Sequence, residues 1–555
     1  MSKGTYTNPV MPGFHPDPSV VRVGDDYYAV NSTFQFFPAI VISHSRDLVN
    51  WRYIGHGITR SEWIPLADLP DSFGIWAPDI SYHEGTYYIF ATLRLHGMGR
   101  QNIMMKSDRP EGPYSKPVVL NTTGLDPSHF IDDDGAHYMV YGGGGAWIQR
   151  LSDDCMQAAG EPRLLWPGTG RHSPEGPHLL KKDGFYYVIL AEGGTEYGHC
   201  ITVARSRELF GEYEPCPLNP VHEQTDRNAV IQRAGHGKIV QTQHGEWWIM
   251  HLGGRPLAGG FCTLGRETFL EPVEWTADGW FTVNGGRGPS DTQRLPRLET
   301  KRYDKPQFDD FDEGNLPFHW QFARNPADGD WSLTERPGHL RIWTRDAGLE
   351  SIDSRNVLVR RETSHRYSAS MKLEFAPARQ GEEAGLVCYY DTRCFIKLAL
   401  AYDGGLVVRL TEHRARTMTR LAETAYVPGD PSYPGDPSYL GDLGESADQS
   451  GQVEPASDRG VQYGQASGSG GIAVDTAAPI YLKVEVDGVR RTFYYSSDNV
   501  KWHKAGEIAD AVFLSDEGTM EKKAFTGTLV GVFATGGGSG RRIAADVDWF
   551  RYEDH

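Results

Sequence analysis

The run Asp25-Asp26-Tyr27-Tyr28-Ala29-Val30 returns four times along the chain. It recurs as Gly85-Thr86-Tyr87-Tyr88-Ile89-Phe90, Gly135-Ala136-His137-Tyr138-Met139-Val140, Gly184-Phe185-Tyr186-Tyr187-Val188-Ile189 and Gly245-Glu246-Trp247-Trp248-Ile249-Met250. Each copy is a turn residue followed by aromatic and β-branched residues, the pattern of a hairpin feeding a strand. The copies begin at 25, 85, 135, 184 and 245. That spacing suits one small antiparallel sheet per repeat, and no long amphipathic helical pattern interrupts it. Sheets repeated radially in this way form a β-propeller, so five copies predict five blades. A polar turn recurs in step with three of them, at His44-Ser45-Arg46-Asp47-Leu48, Lys106-Ser107-Asp108 and Arg205-Ser206-Arg207-Glu208-Leu209.

Beyond Gly285-Gly286-Arg287-Gly288-Pro289-Ser290 the texture changes. Leu482, Val484 and Val486 alternate with Lys483, Glu485 and Asp487, and Asp487-Gly488 turns into Thr492-Phe493-Tyr494-Tyr495. Together with Leu340–Trp343, Leu406–Leu410 and Ala545–Trp549, this reads as a β-sandwich. The expected organisation is a propeller over residues 1–300 and a sandwich over 301–555. Residues 427–472, rich in Pro, Gly, Ser and Asp and carrying the direct repeat Gly429-Asp430-Pro431-Ser432-Tyr433 / Gly435-Asp436-Pro437-Ser438-Tyr439, are expected to form a flexible surface insertion.

Composition narrows the function. The chain has 555 residues and a net charge of −18 with no long basic run, which argues against a nucleic-acid or anionic-membrane partner. No stretch approaches the ~18 consecutive apolar residues of a membrane span. Six cysteines without a CxxC pair predict neither a disulfide framework nor a zinc site. With Met1–Thr5 lacking the apolar core of a secretory signal, a cytoplasmic protein is expected. The oligomeric state is left open, a homo-oligomer included. The aromatic share of 12% can serve the core, and aromatic rings can also be platforms for flat, uncharged faces such as sugar rings.

The innermost strand of each blade should lie just upstream of the aromatic run. Eight or nine residues back from each copy stand Asp17, Ala77, Asp126, Glu175 and His236. Equivalent positions in a propeller share one level around the axis, which gathers three carboxyls and an imidazole at one mouth of the channel. Carboxyls in such proximity raise one another's pKa, so one stays protonated near neutrality while another ionises. An acid and a base facing each other are what glycosidic-bond hydrolysis requires.

Asn8-Pro9 with Gly13-Phe14-His15-Pro16-Asp17-Pro18-Ser19, Trp76-Ala77-Pro78, Asp126-Pro127-Ser128 and Pro174-Glu175-Gly176-Pro177 resemble glycoside hydrolase family 43. The nearer likeness is to its two-domain β-xylosidases and α-L-arabinofuranosidases, which Phe308-Asp309-Asp310-Phe311 and Ala545–Phe550 share. The resemblance implies a five-bladed propeller followed by a concanavalin A-like sandwich. It makes Asp17 the general base, Glu175 the general acid and Asp126 the residue that tunes and orients Glu175. Arg266, in Leu264-Gly265-Arg266-Glu267-Thr268, matches an arginine that reaches the pocket, and His236 matches a histidine near an axial Ca2+. No organic cofactor is implied.

Trp76, Phe34, Phe36 and Trp147 are candidate sugar platforms, and Phe525 in Phe525-Thr526-Gly527 is a candidate lid from the sandwich. The resemblance thus implies an inverting exo-glycosidase acting on xylo- and arabinoxylo-oligosaccharides. Gln35-Phe36 stand where the β-xylosidases carry Glu-Trp, so release of both xylose and arabinose is expected. The alternatives are an exo-enzyme of arabinan or galactan side chains and a non-catalytic glycan-binding propeller; the paired acid and base speak against the latter.

Overall fold

The computed structural model describes residues 4–415, 417–429, 478–519 and 524–555. The expected insertion therefore lies outside the described residues from 430 onward. Five sheets follow one another in the first half, each laid down strand after neighbouring strand. Their innermost strands are Ser19–Val23, Gly74–His83, Leu125–Ile131, Glu175–Lys182 and Gln232–Gln241. Every aromatic run lies on the second strand of its blade, and Tyr27, Tyr87, Tyr138, Tyr187 and Trp248 are buried. Tyr27 and Trp248 share one apolar cluster, which packs the first blade against the fifth. Ring closure is completed by the N-terminal strand Thr5–Thr7, which pairs with Thr292–Arg294 beyond the last blade. Asn8 secures that seam, donating through Nδ2 to the Leu270 and Ser290 carbonyls.

The register of the inner strands sharpens one expectation. Ser19, Asp79, Ser128, His178 and Lys238 pair with Val30, Phe90, Val140, Ile189 and Met250, so they are equivalent around the ring. Two residues earlier lie Asp17, Ala77, Asp126, Gly176 and His236, all with positive φ (51°, 28°, 55°, 55° and 45°). The fourth blade's true equivalent is thus Gly176, and Glu175 stands one residue upstream. The cause is crowding: a Cβ at Gly176 would come within 2.8–2.9 Å of the His236 ring. The other four positions hold non-glycine residues in a sparsely allowed backbone region, strain of the kind that gathers at working sites.

The second half is a two-sheet sandwich. In one sheet Arg366–Phe375 and Ile480–Asp487 alternate buried with partly or fully exposed residues, since only one face meets the core. In the other, Glu383–Asp391 is buried at every position. Its outer face lies against the propeller, where Val387, Tyr389, Phe395 and Phe533 pack with Phe14, Phe34 and Phe36. The domains also exchange backbone hydrogen bonds: Phe37 N–H donates to the Phe322 carbonyl (3.0 Å), and Thr528 N–H to Thr263 (2.9 Å).

One buried ion pair ties this interface. Arg324, fully buried in the sandwich, donates to the Leu69 carbonyl (3.1 Å) and to Asp71 Oδ1 (2.8 Å) of the propeller. Asp71 Oδ2 accepts in turn from the Thr392 amide and hydroxyl. Removing one partner of such a pair strands a buried charge. Asp71→Ala is therefore expected to destabilise the protein by roughly 3–5 kcal/mol, measured by chemical denaturation, whereas substitution of the exposed Asp68 should leave the midpoint unchanged.

Candidate active site

A cavity of about 710 Å³ opens at the axial mouth, and Asp17, Asp126, Glu175, His236 and Arg266 all line it. Its roof comes from the other domain: Asp516, Glu517 and Phe525 of the sandwich complete the wall. The strained entrances to the blades aim the acids inward, while the strands behind them are fixed by pairing.

Asp17 is held as an anion. Arg266 Nη1 donates to its Oδ1 (2.7 Å) and Ser32 Oγ to its Oδ2 (2.5 Å). Burial alone would push the carboxyl up, yet the Arg266 guanidinium, helped by the Ser32 hydroxyl, holds it below the ordinary carboxylate value. Ser32 is itself oriented by the Ala77 amide, which donates to Oγ (2.6 Å). Arg266 in turn lies between the Phe34 and Phe525 rings and donates through Nη2 to the Phe525 carbonyl (3.3 Å).

Glu175 and Asp126 have the opposite environment. Glu175 is pushed up to about 7, first by burial and then by the charge of Asp17. Asp126 is raised well above the usual range by burial, Glu175 and Asp17. The two titrate as a pair, and near neutrality the pair retains a proton. Asp126 Oδ2 accepts from the Gly176 amide (3.1 Å), one residue from Glu175, which ties the pair's spacing to the backbone. His199 completes this side. Its Nδ1 lies 3.3 Å from the Arg233 carbonyl and must carry the hydrogen there, because a carbonyl can only accept. Nε2 is then a lone pair facing Glu175 Oε1 at 3.9 Å, and burial keeps the ring neutral, at about 3. A neutral acceptor beside Glu175 suits a protonated carboxyl. Sequence reasoning missed Ser32 and His199: neither stands in the repeated phase, and only folding brings them to the acids.

The aromatic candidates divide. Trp76 and Phe34 line the cavity, Trp76 with its indole N–H bonded to the Ser72 carbonyl (2.9 Å). Phe525 joins them, stacked on Phe34 and edge-on to Trp76. Phe36 does not line the cavity: it is fully buried behind it, packed on Phe14. Its neighbour Gln35 is buried too, accepting from the Ser72 amide (3.0 Å). Trp147 also lies outside the cavity walls, because it sits on the strand Ala146–Arg150 and its indole turns back onto the Gly143 carbonyl (3.0 Å).

The axial donor set does not fit the Ca2+ expected beside His236. One level below, Lys238 Nζ donates to Asp79 Oδ1 (2.5 Å), the Ile80 carbonyl (2.8 Å) and Ser19 Oγ (3.2 Å). The ammonium already supplies the positive charge and uses the oxygen ligands that a cation would need. Among the described residues, the groupings that could ligate a metal are His129–His137–Cys155 and His339–Glu374–Asp548, and neither contains an axial acid.

Comparison with known proteins agrees with this architecture. The family model of glycosyl hydrolases family 43 matches residues 6–281, and that of the β-xylosidase C-terminal concanavalin A-like domain matches 308–434 and 446–553. The chain is 34% identical to a xylan 1,3-β-xylosidase of Vibrio sp over 99% of both chains. It is 33% identical to a non-reducing end α-L-arabinofuranosidase of Bacteroides ovatus, covering 100% of this chain and 95% of that one. The crystal structure of a family 43 protein from Bacillus licheniformis superposes with a TM-score of 0.89 at 51% identity, over the whole of both chains. With both domain models matched in order and the acids converging where hydrolysis needs them, the chain belongs to glycosyl hydrolase family 43.

Proposed function

We propose that the protein is an exo-acting, inverting glycosidase that releases terminal β-D-xylosyl and α-L-arabinofuranosyl residues from xylan-derived oligosaccharides. The observation that carries the reading is the opposed electrostatics of two carboxyls in one cavity. Asp17 is ion-paired and ionised, whereas Glu175 has no cationic hydrogen-bond partner among the described residues, is raised to about 7, and shares with Asp126 the proton that the pair retains. In the reaction Asp17 takes a proton from a water as its oxygen attacks the anomeric carbon. Glu175 gives its proton to the glycosidic oxygen as that bond breaks. One water is consumed, and the proton gained by Asp17 returns through solvent to Glu175. Asp126 accepts from the Gly176 amide next to Glu175 and fixes that backbone, while burial and the Asp17 charge keep the affinity of Glu175 for the proton high.

The exo mode rests on the roof. Phe525 and its neighbours Asp516 and Glu517 close over Phe34 and Trp76, which leaves room for a chain end. Dual pentose release is supported by relatives named for each sugar. The Gln35-Phe36 departure lies behind the cavity wall and acts on the sugar only through Phe34 and Ser72.

Asp17→Ala should lower kcat on the order of 10³-fold on every substrate. Glu175→Ala should cripple hydrolysis of xylobiose but spare much of the turnover of 4-nitrophenyl xyloside, whose leaving group departs without a proton. Comparable losses on both substrates would count against Glu175 as the acid.

The pH profile of kcat/KM should be a bell whose basic limb falls near 7. Glu175 is raised and must be protonated, so activity disappears as pH rises through that value. Asp17 is lowered and must be ionised, so the acidic limb lies below the ordinary aspartate range. Arg266→Met should move that limb upward. Finally, enzyme stripped with EDTA should keep its full rate, and added calcium should not raise it, because Lys238 serves the axis; calcium-dependent turnover would contradict this assignment.

A further inference from the structure

The third blade departs from its four neighbours at two positions of the ring. One residue beyond the equivalent set Ser19, Asp79, Ser128, His178 and Lys238, four inner strands carry Val20, Ile80, Leu179 and Ile239, and the third carries His129. On the second strand, where the other blades place Tyr27, Tyr87, Tyr186 and Trp247, the third places His137. Both histidines are buried, and they touch: His129 Nε2 lies 2.9 Å from His137 Nδ1.

A thiol completes the group. Cys155, fully buried in the turn after the strand Ala146–Arg150, has φ 60° and brings Sγ to 3.7 Å from His129 Nε2. The three donor atoms lie within 4.8 Å of one another. No zinc motif marks them in the sequence, because the partners stand 8 and 26 positions from His129. The shell around them is aromatic, with Phe90 stacked on His129 (ring centres 4.8 Å apart) and Tyr88 beside it (5.0 Å). Two residues reach in from the inner strand of the second blade. Ser81 Oγ lies 2.7 Å from His129 Nδ1, and His83 stands edge-on to His137 with ring centres 5.5 Å apart.

Aliphatic and aromatic side chains fill both positions in four blades, so packing alone gives no reason for two imidazoles and a thiol in the third. Those are the donors that a tetrahedral zinc ion takes, and hard cations such as Ca2+ avoid them. With bonds of about 2.1 Å to nitrogen and 2.3 Å to sulfur, zinc spaces its donors roughly 3.3–3.6 Å apart, near the separations seen. We propose that His129, His137 and Cys155 form a Zn2+ site between the second and third blades, with His83 beside the fourth position. Binding exchanges a proton for the metal: the Cys155 thiol releases its hydrogen to solvent as the Zn–S bond forms. The hydrogen between the two imidazoles moves to an outer ring nitrogen as His137 turns toward the ion. Ser81 Oγ then accepts from His129 Nδ1–H, the outer hydrogen bond that holds a ligating imidazole in place. None of the three donors lines the catalytic cavity, so the ion takes no part in the reaction. It braces the inner strand Leu125–Ile131, which carries Asp126.

Cobalt titration of the chelator-treated full chain tests the site. The expected result is a single equivalent of Co2+ with a thiolate-to-metal charge-transfer band, displaced by Zn2+, and a higher Tm with either ion bound. Cys155→Ser should abolish the band. His129→Leu installs the side chain that the fourth blade carries at this position, so the variant should fold, and it should lose both the tight Zn2+ step and the rise in Tm. It decides the matter if Cys155→Ser fails to fold. Cobalt bound without the charge-transfer band would assign the metal to surface histidines and overturn the proposal. Survival of the band in Cys155→Ser, or undiminished Zn2+ affinity in His129→Leu, would overturn it as well.

Discussion

The contact between Arg266 and Asp17 fixes the charge on which the active site depends. It runs from the fifth blade to the entrance of the first and so spans the seam of the propeller, far apart in sequence and 2.7 Å apart in space. Buried ion pairs of this kind contribute little net stability, because desolvation offsets most of the attraction. What they supply here is a charge state. Asp17 sits where burial would otherwise protonate it, and the guanidinium keeps it a base. The same guanidinium reaches the Phe525 carbonyl, so the base and the roof share one anchor.

That arrangement explains why a second domain accompanies the propeller. The sandwich contributes no catalytic acid, yet it covers the mouth of the axis with Phe525 and presents Asp516 and Glu517 to the cavity. Its fully buried strand Glu383–Asp391 and the backbone pairing of Phe37 with Phe322 hold it in register with the first blade. Excluding water from the cavity strengthens the electrostatic contrast between Asp17 and the Asp126–Glu175 pair. The axis below is occupied by Lys238 and Asp79, a fixed internal charge pair in place of an exchangeable ion.

Much of this was readable from residues. The five aromatic runs marked the second strands of the five blades, because a blade must bury one aromatic row against its neighbour. Strands with one wet face, such as Ile480–Asp487, announced themselves by alternation. Glu383–Asp391 did not, because a strand covered on both sides has no polar face to alternate. Stepping back from the runs found the acids but misjudged Glu175 by one residue. The side chain of His236 fills the space that a Cβ at position 176 would take, and no local pattern records a clash between blades. Phe36 and Trp147 were assigned to the pocket by proximity in sequence, and the direction of each side chain placed them elsewhere.

By itself the sequence determined the two all-β domains, the order of the blades and the identity of the three acids, since repeat period and residue type are local properties. Only the tertiary structure decided which acid is held ionised, which aromatic rings face the cavity and where a lysine sits on the axis. Those outcomes depend on distance, burial and facing charges between residues hundreds of positions apart. They are properties of the closed ring and the docked sandwich, not of any segment within them.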